Sequence, residues 1–377
     1  IDGMKPISES VPKYTEQPMT QAQPSAPNNA TTAELSDEDF NSGNYDFKNA
    51  SSESVINLGT IEVSNSGSVV LASNEVKNAG SIKAVRGKVH LVGASDYRVN
   101  LNGNSLVNLK VNKGVLDALV ENSGAVIADG GEVYFTTNAI NELLKGVVNN
   151  TGVVEANSVD DLFGKVEMFA HGGTANISGE IKAESNTSTD GGFIETSGKE
   201  VNIDEDIKIS TKSKEGKTGT WLIDPVNIEV TSSGSDSTSG TSISGDTIST
   251  ALNTTNVTLD TTTATGASTG EDDGNITIND TIEKTGSSAT TLTLKANKDI
   301  NINKSISSTS GRLNVVLNAD IDSNNTGDIN FGAEGSITTK DGNFYVGSVS
   351  GTYDTVTASG EKFTMSTGSF IDVGAGN

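Results

Sequence analysis

Along most of the chain apolar and polar positions alternate with a period of two rather than 3.6, which predicts short strands rather than helices. Turns made of Asn, a small residue and Gly separate the runs. One phrase, Asn122-Ser123-Gly124-Ala125-Val126-Ile127-Ala128 followed by Gly131-Glu132-Val133-Tyr134-Phe135, has two counterparts. They are Asn78-Ala79-Gly80-Ser81-Ile82-Lys83-Ala84 with Gly87-Lys88-Val89-His90-Leu91, and Asn150-Thr151-Gly152-Val153-Val154-Glu155-Ala156 with Gly164-Lys165-Val166-Glu167-Met168. In each second strand, Val and the large apolar residue two positions on are expected to face inward. His90, Tyr134 and Glu167 are then expected to face outward, His90 into solvent.

The turn glycines are 21 residues apart from Gly59 to Gly80, 44 from Gly80 to Gly124 and 28 from Gly124 to Gly152. Read as one coil, two coils, and one coil with an insertion, they predict a solenoid with a period of about 21 residues. Residues 78–98 would then be one coil, and roughly fifteen coils would stack into a rod of roughly 70 Å. A single coil cannot bury its apolar side alone, so stacking supplies the core. Asn78, Gly80, Asn122, Gly124, Asn150 and Gly152 are assigned to corners, because Asn tolerates left-handed backbone angles and stacked asparagines can form ladders. Val133 and Phe135 are assigned to the core.

Residues 1–36 are polar and proline-rich and read as a flexible or non-native lead, with Phe40, Tyr45 and Phe47 then covering the open end of the solenoid. Residues 37–220 form the main solenoid. Within it Asn138–Lys145 is the one good helix-like segment, with Ile140, Leu143 and Leu144 on one side and Gly146 as a stop. The phrase Thr220-Trp221-Leu222-Ile223-Asp224-Pro225 holds the sole Trp and the last Pro and marks a junction. Beyond it, residues 221–377 continue the solenoid after a Ser/Thr/Gly loop at about 231–250.

A composition of 33% hydrophobic and 5% aromatic residues suits a thin core. The absence of Cys removes disulfide, zinc-thiolate and thiol-nucleophile chemistry. With 25 basic against 49 acidic residues, a net charge of −24 argues against nucleic acid and against anionic membranes. No apolar run approaches the roughly 18 residues needed to span a bilayer. Residues 1–30 lack the basic start and apolar core of a signal peptide, as expected of a chain whose signal has been removed or of an internal fragment.

Catalytic and metal motifs fail on inspection. Gly216-Lys217-Thr218 resembles the end of a phosphate loop, but Thr211 stands where its first Gly belongs. Asp37, Asp39 and Asn41 imitate the start of a calcium loop, but Ser42 and Lys48 replace its Gly and Glu, so a helix start is the better reading. His90 and His171 lie far apart in sequence and predict neither a metal site nor a Ser-His-Asp arrangement. No catalytic residue and no cofactor are expected.

The Asn-x-Gly-x-Ile-x-Ala coils, Val147-Val148-Asn149-Asn150-Thr151-Gly152, Gly191-Gly192-Phe193-Ile194-Glu195-Thr196-Ser197-Gly198 and above all Thr220–Pro225 resemble the N-terminal region of two-partner-secretion exoproteins of Gram-negative bacteria. These are the filamentous-haemagglutinin and high-molecular-weight adhesins, and the resemblance covers about residues 37–350. It implies a right-handed parallel β-helix, passage through the periplasm, export by an Omp85-like outer-membrane transporter, and attachment to a receptor on host or bacterial cells. It also implies glycosylation at sequons such as Asn149, Asn176, Asn186, Asn256, Asn275 and Asn279. The family's Asn-Pro-Asn-Gly secretion motif, which would lie before Tyr45, is absent; Ala26-Pro27-Asn28-Asn29 does not replace it. Two other functions suit a solenoid. A polysaccharide-degrading enzyme needs a groove of clustered acidic and basic groups, and an ice- or surface-binding rod needs Thr at fixed spacing, which Thr291 and Thr293 do not sustain.

Overall fold

A computed structural model describes residues 28–102, 106–114, 117–138, 146–234, 241–262, 274–321, 326–347, 363–374 and 376. One face is an unbroken parallel ladder of eleven strands. In order they are Asn28–Thr31, Val69–Ser73, Lys88–Gly93, Glu132–Asn138, Lys165–Ile177, Phe193–Ile203, Thr220–Asp224, Asn256–Asp260, Thr290–Lys295, Leu313–Asn318 and Phe344–Val346. Its register stacks like on like. Val69, Val89, Val133, Val166, Ile194, Trp221, Val257, Leu292 and Val315 form one inward column, and Leu71, Leu91, Phe135, Met168, Thr196, Ile223, Leu259, Leu294 and Leu317 form a second. Both columns are buried, so the alternation seen in sequence is the inside-outside alternation of stacked strands.

Two more parallel ladders close each coil. In the first half the second face runs Ser54–Asn57, Glu75–Asn78, Leu119–Asn122, Val147–Asn150 and on to the far end of Lys165–Ile177. The third face runs Thr60–Glu62, Ser81–Lys83, Ala125–Ile127, Val153–Glu155, Glu180–Lys182 and Lys208–Ser210. Beyond Thr220–Asp224 the same two faces continue as Ile228–Thr231, Ile276–Ile278, Ile300–Ile302 and Ile329–Phe331, and as Ile282–Lys284, Ser305–Ser308 and Ser336–Thr338. The fold is a parallel β-helix.

Its coils are fewer and longer than a 21-residue period predicts. Among the described residues eleven rungs make a continuous ladder of roughly 50 Å, with Phe363–Met365 and Phe370–Asp372 adding one further turn on the other two faces, not fifteen coils and 70 Å. Asn78 pairs directly with Asn122, so their 44-residue interval is one coil carrying an insertion, and residues 78–98 are not a coil. The insertion is an antiparallel hairpin, Asp96–Asn102 with Leu106–Lys113, joined by Asp46–Phe47 into a three-stranded sheet. Its own alternating pattern is indistinguishable from that of a coil. The Arg98 guanidinium forks onto the Asp46 carboxylate with two bonds of 2.6 Å, fixing the third strand.

This small sheet packs on outward-facing Val70, Ala72 and Val92 of the continuous ladder, with Phe47 stacked on Tyr97 at 4.9 Å. Tyr45 and Phe47 therefore cover a flank rather than an open end, and Phe40 stays exposed. Residues 28–36 are not a flexible lead, because Asn28–Thr31 pairs in parallel with Val69–Ala72; residues 1–27 lie outside the described residues. Asp37–Asn41 is a helix capped by Ser36, whose hydroxyl accepts from Asp39 N at 3.0 Å. The helix expected over Asn138–Lys145 cannot include Asn138, which ends a strand, and 139–145 lie outside the described residues.

The loop expected at 231–250 is largely ordered structure: strand Thr241–Ser244 and helix Gly245–Ala251, with 235–240 outside the described residues. Ser and Thr act here as structural partners. Ser244 caps the helix by accepting from Thr247 N at 3.0 Å, and Thr241 Oγ1 accepts from Val201 N at 2.7 Å. That contact wedges Thr241–Ser244 between residues 200–203 and its parallel neighbour Ile228–Thr231. On the third face the helix stands between Lys208–Ser210 and Ile282–Lys284 where a strand would otherwise lie, and its Ser249 hydroxyl accepts from Glu283 N at 2.8 Å. A helix is roughly 10 Å wide against a strand spacing of roughly 4.8 Å, so an extra strand on the adjacent face matches the height it needs.

Candidate functional site

The corner residues read from sequence come together as a buried ladder. Asn57 Nδ2 donates to Asn78 Oδ1 at 2.7 Å, Asn78 to Asn122 at 2.8 Å and Asn122 to Asn150 at 2.8 Å, and Asn150 ends the series on the Ser178 carbonyl at 2.8 Å. Asn78, Asn122 and Asn150 each accept from the coil before and donate to the coil after, which offsets the cost of burying them. Two residues on, a Cβ at Gly80, Gly124 or Gly152 would stand 2.0, 2.0 or 2.1 Å from the carbonyl oxygen of the glycine in the preceding coil. Backbone packs on backbone there, so no side chain fits. This machinery is structural.

Trp221 and Pro225 are also structural. Trp221 is fully buried in the first inward column, and its Nε1 donates to Thr196 Oγ1 at 3.1 Å. That bond accounts for the single Thr in the second column. Pro225, also buried, follows the end of strand Thr220–Asp224, where no ladder N–H is needed.

The sequon asparagines are spread over separate coils. Asn176 donates to Asn149 at 2.7 Å and accepts from Asn202 at 2.8 Å, forming an outer ladder. Asn256 donates to the Thr218 carbonyl and accepts from Thr291 N, each at 2.8 Å, and Asn275 accepts from Asp299 N at 3.1 Å. Asn186 and Asn279 are exposed, but Asn279 donates to Glu229 at 2.7 Å and accepts from Asn303 at 2.8 Å.

The feature that sequence reading missed is a cleft of about 530 Å³ beside the inserted hairpin. Its floor is the outer side of the continuous ladder: Tyr134, Thr136 and Asn138 on one strand, Glu167, Phe169 and His171 on the next, with His90 at one end. Leu109, Lys110 and Val111, on the terminal strand of the three-stranded sheet, form the wall. His90, expected in solvent, is only 5% exposed and stacks on Tyr134 at 4.8 Å. It does point away from the core, but the hairpin roofs that flank. That hairpin follows His90 directly in sequence, but its alternation does not show that it folds back over this flank.

Tyr134 donates to Glu132, and Lys88 approaches Glu132 at 2.8 Å while Lys165 approaches Glu167 at 2.5 Å. Burial opposes the Glu132 charge, but the hydrogen bonds from Lys88 and Tyr134 outweigh it and hold the carboxyl below its usual range. Burial and the Glu132 carboxylate push the Tyr134 hydroxyl up, so it remains a donor. Phe169 and His171 pack with ring centroids 3.8 Å apart, and burial lowers the His171 pKa. The structure thus brings both histidines of the chain to one cleft. The register keeps them roughly 13 Å apart along the strands and roughly 10 Å across them, too far to share a metal ion. Among the described residues no group of three His, Asp or Glu is placed to hold one, and no helix is long and apolar enough to cross a membrane.

No known family profile matches the chain, and no curated protein does. Among solved structures it is similar to the HMW1 secretion domain from Haemophilus influenzae, with 16% identity, a TM-score of 0.41, and coverage of 91% of this chain and 74% of that one.

Proposed function

We propose that the chain is part of a secreted surface adhesin of a Gram-negative bacterium: a stiff rod, exported through an Omp85-like two-partner transporter, whose outer surface meets a receptor on host or bacterial cells. The observation that carries this reading is the continuous parallel ladder of eleven strands, with the family-like phrase Thr220–Pro225 seated inside it. In such a ladder each completed coil presents backbone groups that template the next, so stacking outside the cell can pull the remaining chain through a pore. The rod needs no cofactor and no catalytic group for this task. Asn186, exposed on a turn, is the sequon we assign first for glycosylation; an unmodified intact mass from the native host would remove that assignment.

The test is export of the full-length protein co-expressed with its transporter. Deleting residues 123–150, the single coil between Asn122 and Asn150, is expected to reduce the amount in the medium severalfold. Undiminished export of the deletion variant would refute the templating step.

A further inference from the structure

The outer side of a β-helix needs no aromatic residues for its core, yet this chain, 5% aromatic, sets Tyr134 and Phe169 there, half-buried, each against an imidazole. Beside these rings stand a carboxylate, Glu167, a carboxamide, Asn138, and a hydroxyl, Thr136, all lining the same cleft. Aromatic carbon surface next to a few fixed donors and acceptors is the chemistry that recognises a sugar. Tyr134, stacked on His90 and with the Lys165 ammonium 5.6 Å from its ring centre, offers its edge; Phe169 covers the apolar C–H side of a pyranose, and carboxylate and amide take its hydroxyls.

A volume of about 530 Å³ lies in the range of small-ligand sites. Parallel strands fix the floor, so little ordering is needed on binding. Ionic pairing also bears on the ligand. Lys88 and Lys165 are engaged by Glu132 and Glu167, Lys110 is the one lysine among the lining residues and shares the cleft with Glu167, and the chain carries −24 overall, which disfavours acidic sugars. A peptide strand pairing with the hairpin edge is the rival occupant, and the titration below tests it directly.

We propose that the cleft between the inserted hairpin and the continuous ladder, floored by Tyr134, Phe169 and His171 with Glu167 and Asn138, binds a neutral oligosaccharide. This deepens the attachment reading by giving it a ligand class, but it is tested on the purified chain without any transporter. The probes are lactose, cellobiose, maltotriose and chitotriose, with sialyllactose as the acidic comparison, in saturation-transfer NMR followed by titration.

At least one neutral sugar is expected to receive saturation on its ring C–H protons, and sialyllactose to bind no more tightly than lactose. Phe169→Ala is expected to weaken binding tenfold or more. Thr136→Arg, an outward change that fills the cleft without touching the core, should abolish it while circular dichroism stays unchanged. Saturation of none of the four neutral sugars overturns the proposal, as does binding that survives Thr136→Arg in a folded chain, or tighter binding of an extended peptide library than of any sugar. Release of new reducing ends would also overturn it, since the site would then be that of an enzyme. Failure of export leaves all these outcomes readable.

Discussion

The coils between Asn57 and Asn150 and the region between Trp221 and Asp260 solve the same problem, stacking one coil on the next, in different ways. The first uses side-chain amides at a corner, each bonded to its copy in the next coil, over a stack of glycines with no room for a Cβ. Among its described residues the second has no such ladder. A fully buried indole fills the column, an extra strand, Thr241–Ser244, enters the second face, and the helix Gly245–Ala251 takes the place of a strand on the third. Repetition of corner chemistry keeps a rod regular, whereas a change of strand count has to be absorbed by large apolar side chains and a helix.

Substitutions separate the two solutions. The largest effect is expected at the irregular region: Trp221→Ala removes the biggest buried side chain and orphans its Thr196 contact, and should cost about 3–5 kcal/mol in denaturant unfolding. In the regular coils, Asn122→Ala leaves the Asn78 donor and the Asn150 acceptor without their ladder partner, for a loss of about 2–4 kcal/mol. Gly124→Ala, which drives a Cβ against the Gly80 carbonyl, should cost about 1–3 kcal/mol. Equal stability of the Asn122→Ala and wild-type chains would show that the amide ladder follows the stacking rather than holding it.

The smallest effect has the opposite sign. Burial raises the Glu195 pKa, and Glu167 and Asp260 add to the rise against the hydrogen bond from Ser197. A carboxyl with a raised folded-state pKa contributes stability that is fully present below its unfolded value and lost as pH rises through the folded value. Glu195→Gln should therefore raise the melting temperature at pH 7, by less than about 3 °C, with the gain vanishing near pH 4. His171 works the other way: burial lowers its pKa, so its contribution is full above the ordinary imidazole range and falls as pH drops through the folded value. Melting curves of His171→Asn between pH 5 and 8 would show this as a flatter profile than wild type.

The regular half was legible because its chemistry is local. Asn78, Asn122 and Asn150 each stand two residues before a glycine, and the superposition of Val89, Val133 and Val166 follows from alternation alone. What stayed hidden depends on how strands pair and on what caps a helix, which alternation and composition do not encode. Tyr97, Val99 and Leu101 alternate like coil residues, and only their antiparallel partners reveal a hairpin, so in sequence one coil reads as two. That same hairpin buries His90 and walls the cleft. Thr241–Ala251 reads as a loop by composition, although Ser244 caps a helix whose Ile248 and Ala251 are buried.

The most direct measurement is attachment itself. Beads coated with the purified chain, set against epithelial and bacterial cells under gentle flow, should adhere well above albumin-coated beads, and beads carrying Thr136→Arg should fall back towards the albumin level. Adhesion no greater than that of albumin, on both kinds of cell, would contradict the reading of this rod as an adhesin.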